Sequence, residues 1–449
     1  METRVLDQTL LRVRELLEHD DIRSAMQIIE ALLPPDQAEV FGELDRNQQD
    51  AILPNIEIED AADILEELPD AEAAEIAARL GTDDLAHIVA EMEPDEAADL
   101  LGDLSPTLTE ETLGIMGAPT DVWPLLLHPD ETAGGLMTSE YLAFPETMTA
   151  ARTLDTIRGW APKGEETPYL YVIDQDGRLV GVVSLFQALR ANPGAPLGSI
   201  ADRDVLEVNV RDGQETAAHL MSRYDLSAVP VVDDNSILAG VITVDDLVDV
   251  LEAEATEDVQ RFGGSAPLHQ AYLETTIPAA AVKRIGWLLL LFVTGSLTAA
   301  VIKLFQSTLN QVVVLSLFTP LITGTGGNAG SQTAATVMRA LAVGDVTPRD
   351  ALPVLWREFR TSLLLGAVLS VGGFCTALLY HASLGVAGVL GITLIGVVIW
   401  ANTVGALLPL LAAKVGADPA VVSGPLMSTV VDATGLLIYF SIARIVLGV

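Results

Sequence analysis

The chain has 449 residues, which predicts two or three structural units rather than one. It carries 24 Lys and Arg against 62 Asp and Glu, a formal net charge of −38. Nucleic acids are bound through clustered Lys and Arg, so this composition excludes a nucleic-acid partner, whereas it attracts cations. An acid-rich surface is also typical of adaptation to solubility or to a salty cytoplasm. The single cysteine excludes an intramolecular disulfide.

The charge is divided unevenly along the chain. Residues 283–449 hold nine basic and five acidic residues, so the 282 residues before them hold 15 basic and 57 acidic ones, a net of −42. The start, METRVLDQTLLRVRELLEHD, has no apolar core and no cleavage site, so we expect no signal peptide. The sequence predicts an acidic first part that stays in the cytoplasm and an apolar second part.

Residues 1–130 predict an acidic helical domain. Short units such as AADILEEL at 61 and AADLLGDL at 97 have apolar residues at helical spacing, and Asp, Pro or Gly separates them. The units recur about every 12 residues, and each is too short to bury its own apolar face. They therefore predict a small stacked superhelix.

An internal duplication of about 60 residues follows. The strings TPYLYVIDQDGRLVGVVSLFQALRANP and LSAVPVVDDNSILAGVITVDDLVDVLEAEATED both give a strand, a turn, a strand and a helix. They resemble paired CBS domains, at 131–197 and 198–256, and the resemblance implies an α/β fold and ATP binding. Thr243 and Asp246 match the family's ribose-contacting pair, but Gln187 stands where the first copy should have an Asp. A dimerising module without nucleotide is equally consistent with these residues.

An acidic run precedes the apolar part of the chain. It consists of Asp245, Asp246, Asp249, Glu252, Glu254, Glu257 and Asp258. Two carboxylates about 4 Å apart repel by about 4 kcal/mol at an effective dielectric constant of 20. Several such contacts would hold neighbouring domains apart unless divalent cations bridge them, although a solvated helix face is the usual interpretation of a charge run.

Five apolar stretches predict five transmembrane helices in residues 283–449, after a connecting helix at 257–282. The stretches are 285–302, 312–342, 361–379, 384–413 and 419–449. Seven basic residues flank one side of these spans and two flank the other. The bias predicts a multi-pass protein of the cytoplasmic membrane, with its amino-terminal domains in the cytoplasm and its carboxyl terminus outside.

Asp432 is a carboxylate deep within the last stretch. Counted from position 419, it lies about 20 Å along a helix with a rise of 1.5 Å per residue, near the middle of the bilayer. A charge there costs about 3 kcal/mol or more unless it lines water or meets a cation, so Asp432 predicts an ion path. Gly424-Pro425 predicts an interrupted helix, in which backbone oxygens near Gly424 and Ser428 serve as outer-shell ligands of a hydrated ion. A simple kink is the alternative.

A glycine-rich stretch, PLITGTGGNAG at 320–330, lies inside the second span. A phosphate loop needs a preceding strand and usually a following Lys, and the membrane context offers neither. The glycines instead predict close packing against the last span. Asn328 would then join the two helices or hold a pore water near Asp432.

The order of these parts resembles the MgtE family of magnesium channels over essentially the whole chain. The motifs are DETAGGLMT at 130–138, LEAEATED at 251–258, TGTGGNAGSQ and DATGLLIY. The resemblance implies a homodimer with its pore on the two-fold axis, which Mg²⁺ closes by binding to the cytoplasmic domains. The metal-sensing residues that it implies, together with the acidic run, are Asp63, Asp95, Asp99, Glu215, Asp225, Asp246, Asp249, Glu254, Glu257, Asp258 and Asp418.

Two other functions fit parts of the sequence. A divalent-cation carrier coupled to Na⁺ or H⁺ could use the same Asp432, because broken helices serve carriers as well as channels. A membrane enzyme would need a motif such as H-E-x-x-H, and the six histidines do not form one. We therefore expect a transporter and not an enzyme.

Overall fold

The computed structural model describes residues 3–117, 121–160, 169–268, 275–421 and 424–449. The chain divides into two compact units, Met1–Glu252 and Ala253–Val449. The first contains the acidic helices and the duplicated α/β part, and the second contains the apolar helices.

The amino-terminal domain is entirely helical in the described residues 3–117. Its helices are α1 Thr3–Glu18, α2 Ile22–Ile29, α3 Pro34–Gly42, α4 Arg46–Ile52, α5 Ile58–Glu66, α6 Asp70–Ala77, α7 Thr82–Glu91, α8 Pro94–Asp103 and α9 Pro106–Met116. The last five begin at residues 58, 70, 82, 94 and 106, that is, every 12 residues. The predicted helical repeat is confirmed.

The starts of these helices follow from local chemistry. Proline opens α8 and α9, where the missing N–H has no helical partner to lose. Acidic residues occupy the first turns of α5 to α8, where the partial positive charge of the helix end favours them. The acids therefore gather at the helix starts.

The duplicated part forms two small sheets. The elements of the first copy are β1 Ala143–Pro145, α10 Ala150–Ile157, β2 Tyr169–Ile173, β3 Leu179–Ser184 and α11 Leu185–Arg190; those of the second are β4 Val208–Asn209, α12 Gln214–Tyr224, β5 Ala228–Val232, β6 Leu238–Thr243 and α13 Val244–Phe262. In each sheet the first strand is parallel to the second, and the second is antiparallel to the third.

The turns between the paired strands repeat as well. Asp174 Oδ1 accepts hydrogen bonds from the N–H groups of Asp176 and Arg178, at 2.8 and 2.9 Å. Asp233 Oδ1 accepts the corresponding bonds from Asn235 and Ile237, both at 2.8 Å. Because each turn is closed by the same Asx geometry, the duplication extends to individual hydrogen bonds.

A shared apolar core joins the helical domain to the second copy. Leu65, Leu101, Met137 and Leu247 belong to one cluster of buried side chains. This burial places the start of α13 beside the helical domain, and with it the first residues of the acidic run.

The second unit contains six helices in the described residues 275–421 and 424–449. They are α14 Ile277–Leu304, α15 Gln306–Gln311, α16 Thr319–Ala342, α17 Ala351–Leu379, α18 Leu384–Lys414 and α19 Gly424–Leu447. Within these residues, four helices are long and apolar enough to cross a membrane: α14, α17 with the turn before it, α18 and α19. The fifth predicted span is α16, a helix of 24 residues whose Gly, Thr, Asn and Ser content makes it less apolar.

Two details of the apolar part differ from the prediction. The helix α13 runs through the boundary expected at 256/257, and residues 269–274 of the expected connecting helix lie outside the described residues. The last span also differs from the predicted stretch 419–449, because a short helical turn at Pro419–Val421 comes first and α19 is described from Gly424, with Pro425 in its first turn. Residues 422 and 423, between the two, lie outside the described residues. Proline is tolerated there, since the first N–H groups of a helix have no intrahelical acceptor.

Candidate cation path and acidic clusters

Asp432 lies on α19, eight residues after the helix begins at Gly424. At 1.5 Å per residue it is about 12 Å from the start of the helix, so it lies about a third of the way along and not near the middle. Its side chain is half-buried within one chain. Ser428 is one turn before it on the same face, as the spacing predicted.

The glycines of α16 bring this helix close to α19 and α18. A Cβ atom placed on Gly326 would lie 2.8 Å from Val431 Cγ1, and one on Gly327 would lie 3.0 Å from Ser428 Oγ. Ser331 Oγ donates a hydrogen bond to the carbonyl oxygen of Gly424 at 3.2 Å. The predicted packing of the glycine-rich segment on the last span is therefore present.

One face of α16 remains open in a single chain. Gly324, Asn328 and Gln332 follow each other at a spacing of four residues, and all three are exposed. Amide side chains are costly in hydrocarbon. This face therefore calls for contact with water or with another protein surface.

In the first unit, carboxylates of the helical domain meet those of the second CBS copy. Asp95, only 7% exposed, lies in the first turn of α8, where the charge of Asp245 raises its pKa, and the charge of Asp95 in turn raises the pKa of Asp246. Burial is the largest cause, and it raises the pKa of Asp95 to about 6 and that of Asp246 to about 7.

Glu93 and Glu96 extend this cluster. Burial, followed by the charge of Asp95, raises the pKa of Glu93 to about 8 and that of Glu96 to about 9. Burial also raises the pKa of Glu66 to about 7, although its carboxylate accepts a hydrogen bond from the Glu93 N–H at 2.6 Å. We call these residues, with Asp95, Asp245 and Asp246, the α8–α13 cluster.

Two carboxylate oxygens of the α8–α13 cluster are buried without a donor among the described residues. They are Asp95 Oδ1 and Asp245 Oδ1. An unsatisfied buried acceptor costs about 1–3 kcal/mol, and more when it is charged. No three carboxylate, His or Cys side chains of the described residues converge closely enough to form a metal site within one chain. The carboxylates of the cluster are thus close to one another, but they do not form a preformed metal-coordination shell.

The other acids predicted in the helical domain have different neighbours. Asp63 lies beside Asp60, and burial raises its pKa. Asp99 faces Asp130 and Asp70, and burial followed by those charges raises its pKa to about 7. Asp249 does reach the helical domain, because its charge raises the pKa of Glu67 after burial does.

The structure does not bring Glu215 and Asp225 together within one chain. Glu215 is in the first turn of α12, and Asp225 follows the last residue of that helix. Ten residues of helix separate their Cα atoms by about 15 Å. Asp225 has a positive φ of 51°, which ends α12 in the left-handed conformation. A shared ion would require ligands from elsewhere.

In the second unit, the end of α13 meets the loop before α19. Arg261 forms ion pairs with Glu257 and with Asp418. Asp418 Oδ1 also accepts a hydrogen bond from the Ala420 N–H at 2.7 Å, which caps the short helical turn at Pro419–Val421. Burial, followed by the charges of Asp418 and Glu254, raises the pKa of Asp258.

Thr243 and Asp246, the pair expected to contact a ribose in the second CBS copy, are hydrogen-bonded to each other. Asp246 Oδ2 accepts hydrogen bonds from Thr243 N at 3.1 Å and from Thr243 Oγ1 at 2.8 Å. A cleft lies instead between the two copies. It is lined by residues of the first copy and of the second, among them Tyr169, Tyr171, Ser184, Gln187, Leu226, Ala228 and Pro230. Gln187 and Ser184 exchange the two hydrogen bonds of a capping box.

Sequence reasoning missed several residues of these sites. Glu93 and Glu96 flank Asp95 at the start of α8, and the motif EPDE was a visible signal for an acidic first turn. Arg261 is the basic residue that ends the acidic run, and its contact with Asp418, 157 positions later, could not be read from the sequence. Ser331 and Tyr171 carried no signal of their own.

Comparison with known proteins identifies the class as a membrane transporter of divalent cations. A family model described as "Divalent cation transporter" matches residues 319–442, that of the MgtE intracellular N domain matches residues 32–121, and the CBS domain model matches residues 133–194 and 197–253. The chain therefore combines the membrane domain and the cytoplasmic domains that these models describe.

Relatives agree over most of the chain. The magnesium transporter MgtE of Thermus thermophilus is 42% identical over 73% of this chain and 72% of its own length. The magnesium transporter MgtE of Bacillus subtilis is 32% identical over 97% of both chains. The crystal structure of the cytosolic domain of the Mg²⁺ channel MgtE in complex with ATP is 32% identical, covers 54% of this chain and 99% of its own, and has a TM-score of 0.50.

The chain belongs to the MgtE family of magnesium transporters. The relatives that match over two thirds or more of this chain are named magnesium transporters and not enzymes. The predicted family, the helical domain and the CBS pair are confirmed.

Proposed function

We propose that this protein is a homodimeric, Mg²⁺-selective channel that mediates magnesium uptake across the cytoplasmic membrane. The observation that carries the proposal is the placement of Asp432. It is a half-buried carboxylate on a membrane-spanning helix, with Ser428 one turn before it and the glycine-rich α16 packed alongside. The names of the relatives support magnesium as the ion.

The chemistry of these residues suits a hydrated hard cation. Mg²⁺ prefers six oxygen ligands and gives up its water reluctantly, so it usually keeps several waters and binds one or two carboxylates. One Asp432 per chain, with the oxygens of Gly424, Ser428 and Asn328 reached through water, provides this kind of surface. Soft metals prefer Cys or His ligands.

A second copy of the chain supplies the cover that the open polar face requires. Asn328 and Gln332 are exposed on a membrane helix, and two such faces related by a two-fold axis would enclose water between them. Two Asp432 carboxylates would then face the same axial path. The carboxyl end of α19 leads to the outside if the amino-terminal domains are cytoplasmic.

The acidic residues support the proposed closure by cytoplasmic Mg²⁺. In the α8–α13 cluster, buried carboxylates repel one another, and two of their oxygens lack donors among the described residues. Divalent cations that bridge these acids, and those around Asp418, would favour a compact arrangement. Moving an equilibrium from 1:99 to 99:1 takes about 5.5 kcal/mol of differential binding, which several weak sites supply together.

Adenine nucleotide, in the form of ATP, is the proposed ligand of the cleft between the two CBS copies. Tyr169 offers partly exposed aromatic surface there, and Ser184 and Gln187 offer polar groups. The solved cytosolic domain of a relative in complex with ATP supports the assignment.

Transport by Asp432 variants in liposomes tests the proposal. Asp432→Ala should abolish Mg²⁺ uptake, and Asp432→Asn should reduce it strongly, because both remove the charge that offsets dehydration of the ion. Asp350→Asn is a matched control, since Asp350 accepts hydrogen bonds only from nearby Thr347 among the described contacts. Unimpaired uptake by Asp432→Ala would refute the proposed path.

The same liposomes separate a channel from a coupled carrier. A channel gives a current that reverses at the Mg²⁺ equilibrium potential and is indifferent to Na⁺ and pH gradients. A reversal potential that moves with Na⁺ or with pH would assign the carrier mechanism instead.

A further inference from the structure

A single guanidinium lies between two acidic segments of the second unit. Arg261 Nη2 pairs with Glu257 Oε1, one turn earlier on α13, and Nη1 pairs with Asp418 Oδ2 in the loop before α19. All three side chains are about two-thirds buried, with exposed fractions between 30% and 37%. Arg261 therefore ties the end of α13 to the base of the last membrane helix.

More acid than base surrounds this guanidinium. Besides Glu257 and Asp418, the carboxylates of Glu254 and Asp258 are close enough to interact electrostatically with Arg261 or with the acids that it pairs with. Four carboxylates thus share one organic cation, a local net charge of −3 when all are ionised. Arginine suits the position because its planar fork holds two carboxylates in fixed directions and keeps its charge at every physiological pH.

The next residue shows what the ion pairs position. The ring of Phe262 lies 3.4 Å from a Cβ atom placed on Gly424, the first residue of α19. It packs against a buried cluster that includes Ala334, Met427 and Val431, on the helices that carry the candidate path. The ion pairs thus hold Phe262 where α16 and α19 meet.

The segment after Phe262 is fixed by close contacts. Gly264 has a positive φ of 76°, and a Cβ atom there would lie 2.4 Å from the Trp287 ring. The Ala266 N–H donates to the Lys283 carbonyl oxygen at 3.1 Å. The chain from Arg261 to Ala266 therefore rests on the amino-terminal turns of α14 as well as on α19.

We propose that Arg261 is a positioning residue that acts as a tethered cation. Its guanidinium holds the end of α13, and with it Phe262, on the membrane helices when Mg²⁺ is scarce. When Mg²⁺ rises, the ion bridges Glu257, Asp258 and Asp418, takes over this neutralisation and strengthens the contact, as the proposed closure requires, so that the contact depends less on Arg261. The second step rests on the Mg²⁺ closure proposed above, and the first does not.

Hydrogen exchange of the full chain in lipid nanodiscs tests both steps. In EDTA, the amides of residues 259–266 should exchange about three to ten times faster in Arg261→Gln than in the wild type, because the carboxylates then repel without a counterion. Arg261→Lys keeps the charge and one contact, so its exchange should lie between the two. Millimolar Mg²⁺ should bring Arg261→Gln close to the wild-type rate.

A control variant has the same change in charge at another site. Arg211 pairs with Asp234 at 2.5 Å in the second CBS copy, so Arg211→Gln should leave exchange at 259–266 unchanged. If the Arg261→Gln variant exchanges at the wild-type rate in EDTA, Arg261 does not hold the end of α13 in place and the proposed tether is refuted. Mg²⁺ that slows the wild type but not Arg261→Gln would overturn the takeover. If Mg²⁺ slows neither protein, the proposed Mg²⁺ closure and the takeover both fail, and the comparison in EDTA still decides on the tether.

Discussion

The α8–α13 cluster and the surroundings of Asp432 use the same functional group in opposite ways. In the cluster, six carboxylates of the helical domain and the second CBS copy lie close together, and burial and mutual repulsion raise the pKa values of five of them. On α19, one carboxylate stands among apolar residues. Many weakly held acids respond to cation concentration, whereas one acid along a narrow path contacts each ion that passes. Under the proposed function, the first region senses the cation and the second conducts it.

The largest expected effect concerns the packing that forms the path. A Cβ atom on Gly405 would lie 2.5 Å from the Gly330 carbonyl oxygen, a backbone atom that cannot move aside cheaply. Gly405→Ala should therefore separate α18 from α16, destabilise the membrane unit by about 1–3 kcal/mol and abolish most transport. Thermal unfolding in detergent and Mg²⁺ uptake measure the two effects.

Gly388 provides the control for this substitution. It lies on the same helix, and a Cβ atom there would meet nothing within 4 Å. Gly388→Ala should keep both the Tm and the uptake of the wild type. Equal behaviour of the two alanine variants would show that the α16–α18 approach does not limit the path.

A second prediction separates sensing from conduction. Asp95→Asn with Asp246→Asn removes charge from the α8–α13 cluster, so there is less repulsion to relieve and less affinity for divalent cations. Protease resistance in EDTA and in millimolar Mg²⁺ measures the equilibrium between the open and the compact arrangement. The factor by which Mg²⁺ shifts this equilibrium should be about ten times smaller in the double variant than in the wild type, which corresponds to about 1.4 kcal/mol. Uptake at low internal Mg²⁺ should persist.

Asp155→Asn is the matched control for the double variant, because Asp155 is an exposed acid paired with Arg158 outside the cluster. It should respond to Mg²⁺ as the wild type does. A double variant that loses uptake at low internal Mg²⁺ would contradict the division between the two regions.

The α8–α13 cluster also predicts a dependence of stability on pH. Burial raises the folded-state pKa of Glu93 to about 8 and that of Glu96 to about 9, above the ordinary value of 4.5. The folded chain then binds these protons more tightly than the unfolded chain. Their contribution to stability is complete below pH 4.5 and is lost as the pH rises toward 8 and 9.

We therefore expect the Tm in EDTA to fall between pH 5.5 and pH 8.5, and Mg²⁺ to raise it more at the higher pH. Calorimetry of the full chain in detergent measures this interval, which is chosen to avoid acid unfolding. Glu96→Gln mimics the protonated side chain and should flatten the profile. A Tm that rises with pH in EDTA would contradict the assignment of repulsion to this cluster.

Sequence was sufficient for features that repeat or that follow from period and composition. The spacing of apolar residues predicted the helical units, and duplicated strings predicted the two sheets down to the position of the turns. Of the four glycines predicted to allow close packing against the last span, those at 326, 327 and 330 do so, whereas a Cβ atom on Gly324 would meet nothing within 4 Å. Each of these features depends on a local pattern.

Features that depend on distant contacts could not be predicted in this way. The pairing of Arg261 with Asp418 joins residues 157 positions apart, and nothing in either segment specifies the other. The resemblance named Glu215 and Asp225 as metal-sensing residues without saying where they lie, and in the structure they stand at opposite ends of α12. The start of α19 differs from the predicted position 419, because a short helical turn at Pro419–Val421 precedes it and Gly424 and Pro425 open the described helix.

The smallest expected effect concerns the nucleotide cleft. Tyr171 is 1% exposed and lines this cleft, and its hydroxyl has no hydrogen-bond partner among the described residues. A bound nucleotide that accepts from or donates to this hydroxyl would satisfy it. Tyr171→Phe should therefore stabilise the empty protein slightly and weaken ATP binding by a few-fold, about 1 kcal/mol. Tyr141→Phe is the control, because the Tyr141 hydroxyl donates instead to the Leu238 carbonyl oxygen at 3.4 Å. Calorimetric titration with ATP compares the variants, and wild-type affinity in Tyr171→Phe would mean that the hydroxyl does not contact the nucleotide.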